Sequence, residues 1–114
     1  MIKHTHEKNV KIITELMNFC YKHGGTNFHI DLSTEDKKIC ICIESEIYDL
    51  KDETLESSKN LLNCPRCHEV EQYYWNLTGN DISDNELSLV GMMIDKAEIN
   101  YDNKTLKILV IREE

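Results

Sequence analysis

Residues 39–47 read ICICIESEI, and the alternation is strict: Ile39, Ile41 and Ile43 share one side of the chain, Cys40 and Cys42 the other. A period of two belongs to the extended chain, whose successive side chains point to opposite faces; a helix would scatter the three isoleucines around its circumference. The run is therefore a strand with one apolar face, and the fold must supply a second layer to cover that face. The preceding stretch, NFHIDLS, alternates in the same way, with Phe28, Ile30 and Leu32 inward and His29 and Asp31 outward, which predicts a half-buried strand. The polar TEDKK between the two reads as a short turn, so the pair forms a hairpin. The end of the chain repeats the device: EINY, a DNK turn and TLKILVIRE predict a second, antiparallel hairpin.

Helical periodicity fills the rest. Over residues 6–23, Val10, Ile13, Met17 and Cys20 fall on one face with Leu16 beside them, and HGG at 23–25 ends the helix. Residues 48–63 are acidic and weakly periodic, with a short helix around Leu55, Leu61 and Leu62. Pro65 suits a first helical position, and Val70, Tyr73, Tyr74 and Leu77 continue a stripe that stops at Gly79. SDNE then offers a capping box, Ser83 with Glu86, for a helix carrying Leu87, Val90, Ile94 and Ala97 on one face, with Leu89 and Met93 adjoining. The order helix, hairpin, helices, hairpin predicts an α+β fold. It is a two-layer α/β sandwich in which a four-stranded mixed or antiparallel sheet carries its helices on one face.

Charge and composition exclude several classes of function. The chain has 114 residues, enough for one domain. Its 21 acidic residues against 13 basic ones give a net charge of -8, spread along the chain, which argues against a nucleic-acid partner and an anionic membrane surface. MIKHTHEKNVKII contains no signal-peptide core, and nowhere is there an apolar run of about 18 residues for membrane insertion. Five cysteines, an odd number, do not form a secreted disulfide framework; a reducing, cytoplasmic location with mostly free thiols is expected.

One motif is conspicuous. NCPRCHEV contains C-x-x-C-H: Cys64, Cys67 and His68. Haem attachment needs this string, but it also needs export, and both chain ends read as hairpins. Zinc would find two thiolate ligands in Cys64 and Cys67, with His68 an awkward third. Cys40 and Cys42 complete that site only if the fold brings their strand alongside. A redox dithiol is favoured by Cys64 at a helix start, where the dipole lowers a thiol pKa, but the chain has no second proline to set against it. The plain alternative is that both cysteines pack as small apolar side chains.

Two blocks carry a further pattern. TELMNFCYKHGGTNFHIDLSTEDKKICICIESEI, residues 14–47, resembles the opening of the histidine-kinase-like ATPase domain found in bacterial sensor kinases. Family members carry E-L-x-x-N-A-x-K-[HY] on a helix, a small residue or two, a hairpin and D-x-G-x-G; Glu15, Leu16, Lys22, His23, Gly24 and Gly25 fit. ELSLVGMMIDKAEINYDNKTLKILVIRE, residues 86–113, resembles the helix after the family's second glycine box and its closing hairpin, with Leu87, Leu89 and Val90 matching G-L-x-[IL]-V. The resemblance implies one domain over 1–114, with 48–82 as the lid-like variable region. It also implies ATP and magnesium as cofactors and a cytoplasmic signalling role beside a protein partner. With so few residues before the first helix, the expectation is not a complete sensor kinase but either an excised piece of one or, as the initiating methionine suggests, a stand-alone relative.

The departures from the family pattern coincide with its nucleotide-binding elements. By resemblance the cofactor-binding positions are Glu15, Phe19, Lys22 and Glu44. Phe19 stands where the family has its magnesium-binding asparagine, and a phenyl ring cannot coordinate a hard cation. Glu44 or Glu46 stands near the adenine-binding aspartate with no glycine following. Glu86 opens the second box, where a carboxylate would repel a triphosphate. The expected role is regulatory protein binding with a degenerate nucleotide site, no cofactor retained despite the ATP and magnesium of the family, and no catalytic residue assigned. The alternatives are an active ATP-binding kinase module, or a zinc or redox module at 64–68. Tyr73, Tyr74 and Trp75 in the lid-like region suit a partner surface or a helix core.

Overall fold

The computed structural model describes residues 5–64, 66 and 86–113. The chain opens with helix α1 (Thr5–Lys22), continues through strands β1 (Thr26–Glu35) and β2 (Lys38–Glu46) and helix α2 (Asp52–Leu62), and closes with helix α3 (Glu86–Gly91) and strands β3 (Lys96–Asp102) and β4 (Thr105–Glu113). The strands form one sheet in the order β1-β2-β4-β3, antiparallel throughout. Each hairpin thus contributes its second strand to the middle of the sheet and its first strand to an edge. Of the two arrangements left open by the sequence, mixed or antiparallel, the antiparallel one is realised. No helix among the described residues is long and apolar enough to cross a membrane.

Local chemistry explains the corners. Gly24, at φ +80°, is the left-handed residue that ends α1: its N–H donates to the carbonyl of Tyr21 at 3.1 Å while that of Gly25 reaches Cys20 at 2.7 Å. This Schellman pattern satisfies the last helical carbonyls. Asn103 and Lys104 both take positive φ, 51° and 61°, the twist a two-residue hairpin loop needs to match its strands. The Tyr101 hydroxyl donates to the Ile47 carbonyl at 2.6 Å and accepts from the Leu50 N–H at 3.3 Å, tying the segment after β2 to the closing hairpin.

The core lies on one face. Ile39, Ile41 and Ile43 of β2 and Leu106, Ile108 and Val110 of β4 are all buried beneath Ile12, Leu16, Phe19 and Cys20 of α1 and Leu87, Leu89 and Val90 of α3. Cys40, Cys42, Leu109 and Ile111 occupy the other face, half-buried. The two-layer expectation holds, and so do the hairpins and the helix near Leu55, Leu61 and Leu62.

Three expectations are corrected. The buried stripe of α1 runs through Lys8, Asn9, Ile12, Glu15, Leu16, Phe19 and Cys20, whereas Val10 is exposed and Ile13 and Met17 are half-buried. Apolar spacing alone points to a face rotated from the true one, because the helix also buries charged and amide groups. On β1, Phe28, Ile30 and Leu32 do share the covered face, in register with Ile43 and Ile41, yet Ile30 and Leu32 are 38% and 47% exposed. Among the described residues α1 packs chiefly over β2 and against α3, so that Ile30 and Leu32 at this edge are little covered. Finally, α3 stops at Gly91, and Ala97 belongs to β3. The expected helix from Pro65 to Gly79 and the capping box at Ser83 lie outside the described residues.

Candidate functional site

The positions matched to the nucleotide-binding family do not converge. Glu15 sits in the middle of the buried stripe of α1, fully enclosed, with Lys11 one turn before it at 3.1 Å. Phe19, one turn on, is 4% exposed and belongs to the same core as Leu16 and Ile43; its ring stands 4.7 Å from that of His23. Lys22 ends the helix, exposed. Glu44 is on the other side of the sheet. Alternation along β2 groups it with Cys40 and Cys42 and away from Ile43, and its cross-strand neighbours are His29 and Lys107. The sheet itself therefore separates Glu44 from Glu15 and Phe19.

At that end of the sheet a polar cleft of about 390 Å³ is lined by Asn27, His29, Glu44, Ser45, Glu46 and Thr105. Its shape follows from an irregularity in the β1–β2 register between Thr26 and His29, where Asn27 takes φ 54°. Asparagine tolerates this region better than most residues. The polar groups of the cleft are partly spent on one another: the Asn27 amide donates to the Glu46 carboxylate, and the Ser45 hydroxyl to the Thr26 carbonyl at 3.2 Å. Two carboxylates at the mouth repel a polyphosphate. Among the described residues, no three His, Cys, Asp or Glu side chains are grouped so as to hold a metal ion.

The thiols are placed for packing. Cys64 lies just past α2, half-buried, and its Sγ comes close enough to Gly91 that a Cβ added there would sit 2.8 Å from it. Burial pushes the Cys64 thiol up, opposite to what a thiolate ligand or nucleophile requires. Cys40 and Cys42 point away from the helical layer that holds Cys64, so the sheet stands between the two groups. Cys67 and His68 lie outside the described residues, as do Tyr73, Tyr74 and Trp75. The Cys42 thiol is also pushed up, by burial first and then by Glu44 and Asp31, against the pull of Lys107.

Cys20 offers a test in alkali. Burial raises its thiol from 9.0 to about 11, partly offset by a hydrogen bond with Ser45. Below pH 9 the thiol keeps its proton whether the chain is folded or not. Between pH 9 and about 11 the unfolded thiol ionises and the folded one does not, so stability falls as pH rises. The loss expected by pH 11 is on the order of 2–3 kcal/mol. Urea unfolding at pH 8 and pH 11 checks this, with Cys20→Ala showing a correspondingly smaller drop.

Two features are not announced by the apolar patterns of the sequence. Arg112 is fully buried on the covered face, opposite Ile39. A signal for it exists, because the β4 alternation that buries Leu106, Ile108 and Val110 carries Arg112 to the same side. The second is the segment after α2. The Arg66 guanidinium pairs with Asp95 at 2.7 Å and donates to the Glu113 carbonyl at 2.8 Å, while Asp95 accepts from the Glu113 N–H at 2.6 Å. That ties the segment after α2 to the far end of the sheet, a contact no local pattern encodes. No protein-family model matches the sequence, and no curated protein matches it.

Proposed function

We propose that the chain is a histidine-kinase-like ATPase-type domain with a degenerate nucleotide site, working in the bacterial cytoplasm as a protein-binding regulator of a two-component or related signalling pathway. Support for the family comes from the arrangement of its matching blocks. A helix ended by two glycines leads into an antiparallel hairpin, and a later helix leads into a closing hairpin, all joined in one sheet. The observation that carries the degenerate reading is Phe19. The side chain standing where the family binds magnesium is a buried core residue, not a ligand facing a cleft. Glu15 beside it is sealed from water, and Glu44 opens on the opposite face.

A regulatory domain acts through its surface. The lid-like region begins with Tyr48, 79% exposed beneath the Lys104 ammonium, and with Asp52, Glu53 and Glu56 along α2. An exposed aromatic ring and an acidic helix suit a partner that presents apolar and basic side chains. The zinc or redox alternative at Cys64, Cys67 and His68 gains nothing from the raised Cys64 thiol.

Calorimetric titration of the purified chain with ATP and ADP, each with magnesium, tests the reading. No saturable heat into the millimolar range is expected. Micromolar binding would overturn the degenerate site and support an active ATP-binding kinase module instead.

A further inference from the structure

The two edges of the sheet differ in a way that identifies a second binding surface. β3 is blunted: α2 packs against it, and it opens with Lys96. β1 is longer, at ten residues, and has no proline or lysine. On its covered face it presents Phe28, Ile30, Leu32 and Thr34, with no charge among them. The ring of Tyr21, 59% exposed, extends this strip from α1, its centroid 4.8 Å from that of Phe28. Among the described residues nothing pairs with the outer edge of β1, and a long edge with an open apolar side and an unpaired row of backbone N–H and C=O groups is a template for another strand.

We infer that the strand it takes is β1 of a second copy of this chain, paired antiparallel about a two-fold axis at Leu32. The register follows from the side chains. A two-fold axis normal to the sheet keeps both covered faces on one side, and opposed residues must then share a face, so the axis passes through a residue and not between two. An axis at Asp31 sets Asp31 against its own copy, and an axis at Ser33 sets Asp31 against Glu35; both oppose like charges. An axis at Ile30 runs the pairing into the irregularity between Thr26 and His29.

The axis at Leu32 avoids all three faults and uses the regular stretch 29–35 in full. It places Leu32 on Leu32, Ile30 on Thr34, Asp31 on Ser33, and His29 on Glu35, whose carboxylate accepts from the imidazole at both ends of the pairing. The four-stranded sheets become one of twice the width, and Ile30 and Leu32 of both copies meet between the two helical layers. The same strand offered to a heterologous partner would gain backbone hydrogen bonds, but not this twofold match of charge and apolar groups.

Sedimentation of the purified full chain over a range from about one to several hundred micromolar tests the inference, with far-UV circular dichroism confirming the fold of each variant. The wild type is expected to shift from monomer to dimer. Leu32→Arg, at a half-exposed position, sets two guanidinium groups face to face on the axis and should weaken the dimer by roughly tenfold or more. His29→Glu opposes Glu35 with a like charge and should weaken it several-fold, while His29→Lys, which keeps a donor there, should not. A wild type that stays monomeric across the range overturns the inference, as does a dimer that Leu32→Arg leaves unchanged.

Discussion

Replacing Gly91 by alanine is expected to cost about 3 kcal/mol and to lower the melting temperature by roughly 12 °C. The reason is backbone, not side chain. Gly91 is the buried last residue of α3, where that helix meets the end of α2, and a Cβ built there stands 2.3 Å from the Leu61 carbonyl oxygen and 2.8 Å from Cys64 Sγ. The thiol can turn away, but the carbonyl belongs to the last turn of α2 and moves only if the helix moves. Both helices bury apolar residues in the common core, Leu62 from one and Leu87, Leu89 and Val90 from the other, so separating them opens it. Gly24→Ala is the control. Nothing lies within 4 Å of its added Cβ, and only the left-handed backbone resists it, at about 1 kcal/mol. Thermal melts of the two variants separate steric exclusion from backbone preference. Equal losses would mean that the α2–α3 contact yields easily.

Ile41→Ala should be at least as damaging, at about 3–4 kcal/mol and roughly 12–16 °C. Ile41 lies at the centre of β2, opposite Leu32 on one side and Val110 on the other, and is fully enclosed. Its β-branch fills the space beneath the helices, and a well-packed interior cannot close over the methyl groups removed. Ile111→Ala, on the neighbouring strand β4, removes the same atoms from the half-buried open face and should cost about 1 kcal/mol. Urea unfolding of the pair measures the asymmetry between the two faces. A difference near zero would show that both faces of the sheet are equally covered.

Period-two alternation is enough to place both hairpins and to sort Ile39, Ile41 and Ile43 from Cys40 and Cys42, because side-chain direction in a strand depends only on parity. The stop at Gly24 is likewise legible, since few residues other than glycine accept its backbone angle. The candidate site is less so. Sequence pattern can set Phe19 and Glu44 beside family positions, but their relation in space depends on which face of the sheet α1 covers. Nothing local to either residue states that. The helix takes a face that buries Glu15 and Lys8 along with Ile12, and apolar spacing cannot foresee a buried carboxylate.

The division between the two sources of information has a physical cause. Strand, turn and helix ends are decided by steric and hydrogen-bonding rules acting over a few residues, so the chain carries them wherever it goes. Cover is decided by the placement of one layer on another. Ile30 and Ile43 sit side by side on one face with the same side chain, yet Ile43 is sealed beneath the helices while Ile30 is 38% exposed, because among the described residues α1 lies chiefly over β2. Among the described residues, the order β1-β2-β4-β3 made β1 an edge, and the position of one helix left Ile30 and Leu32 there exposed.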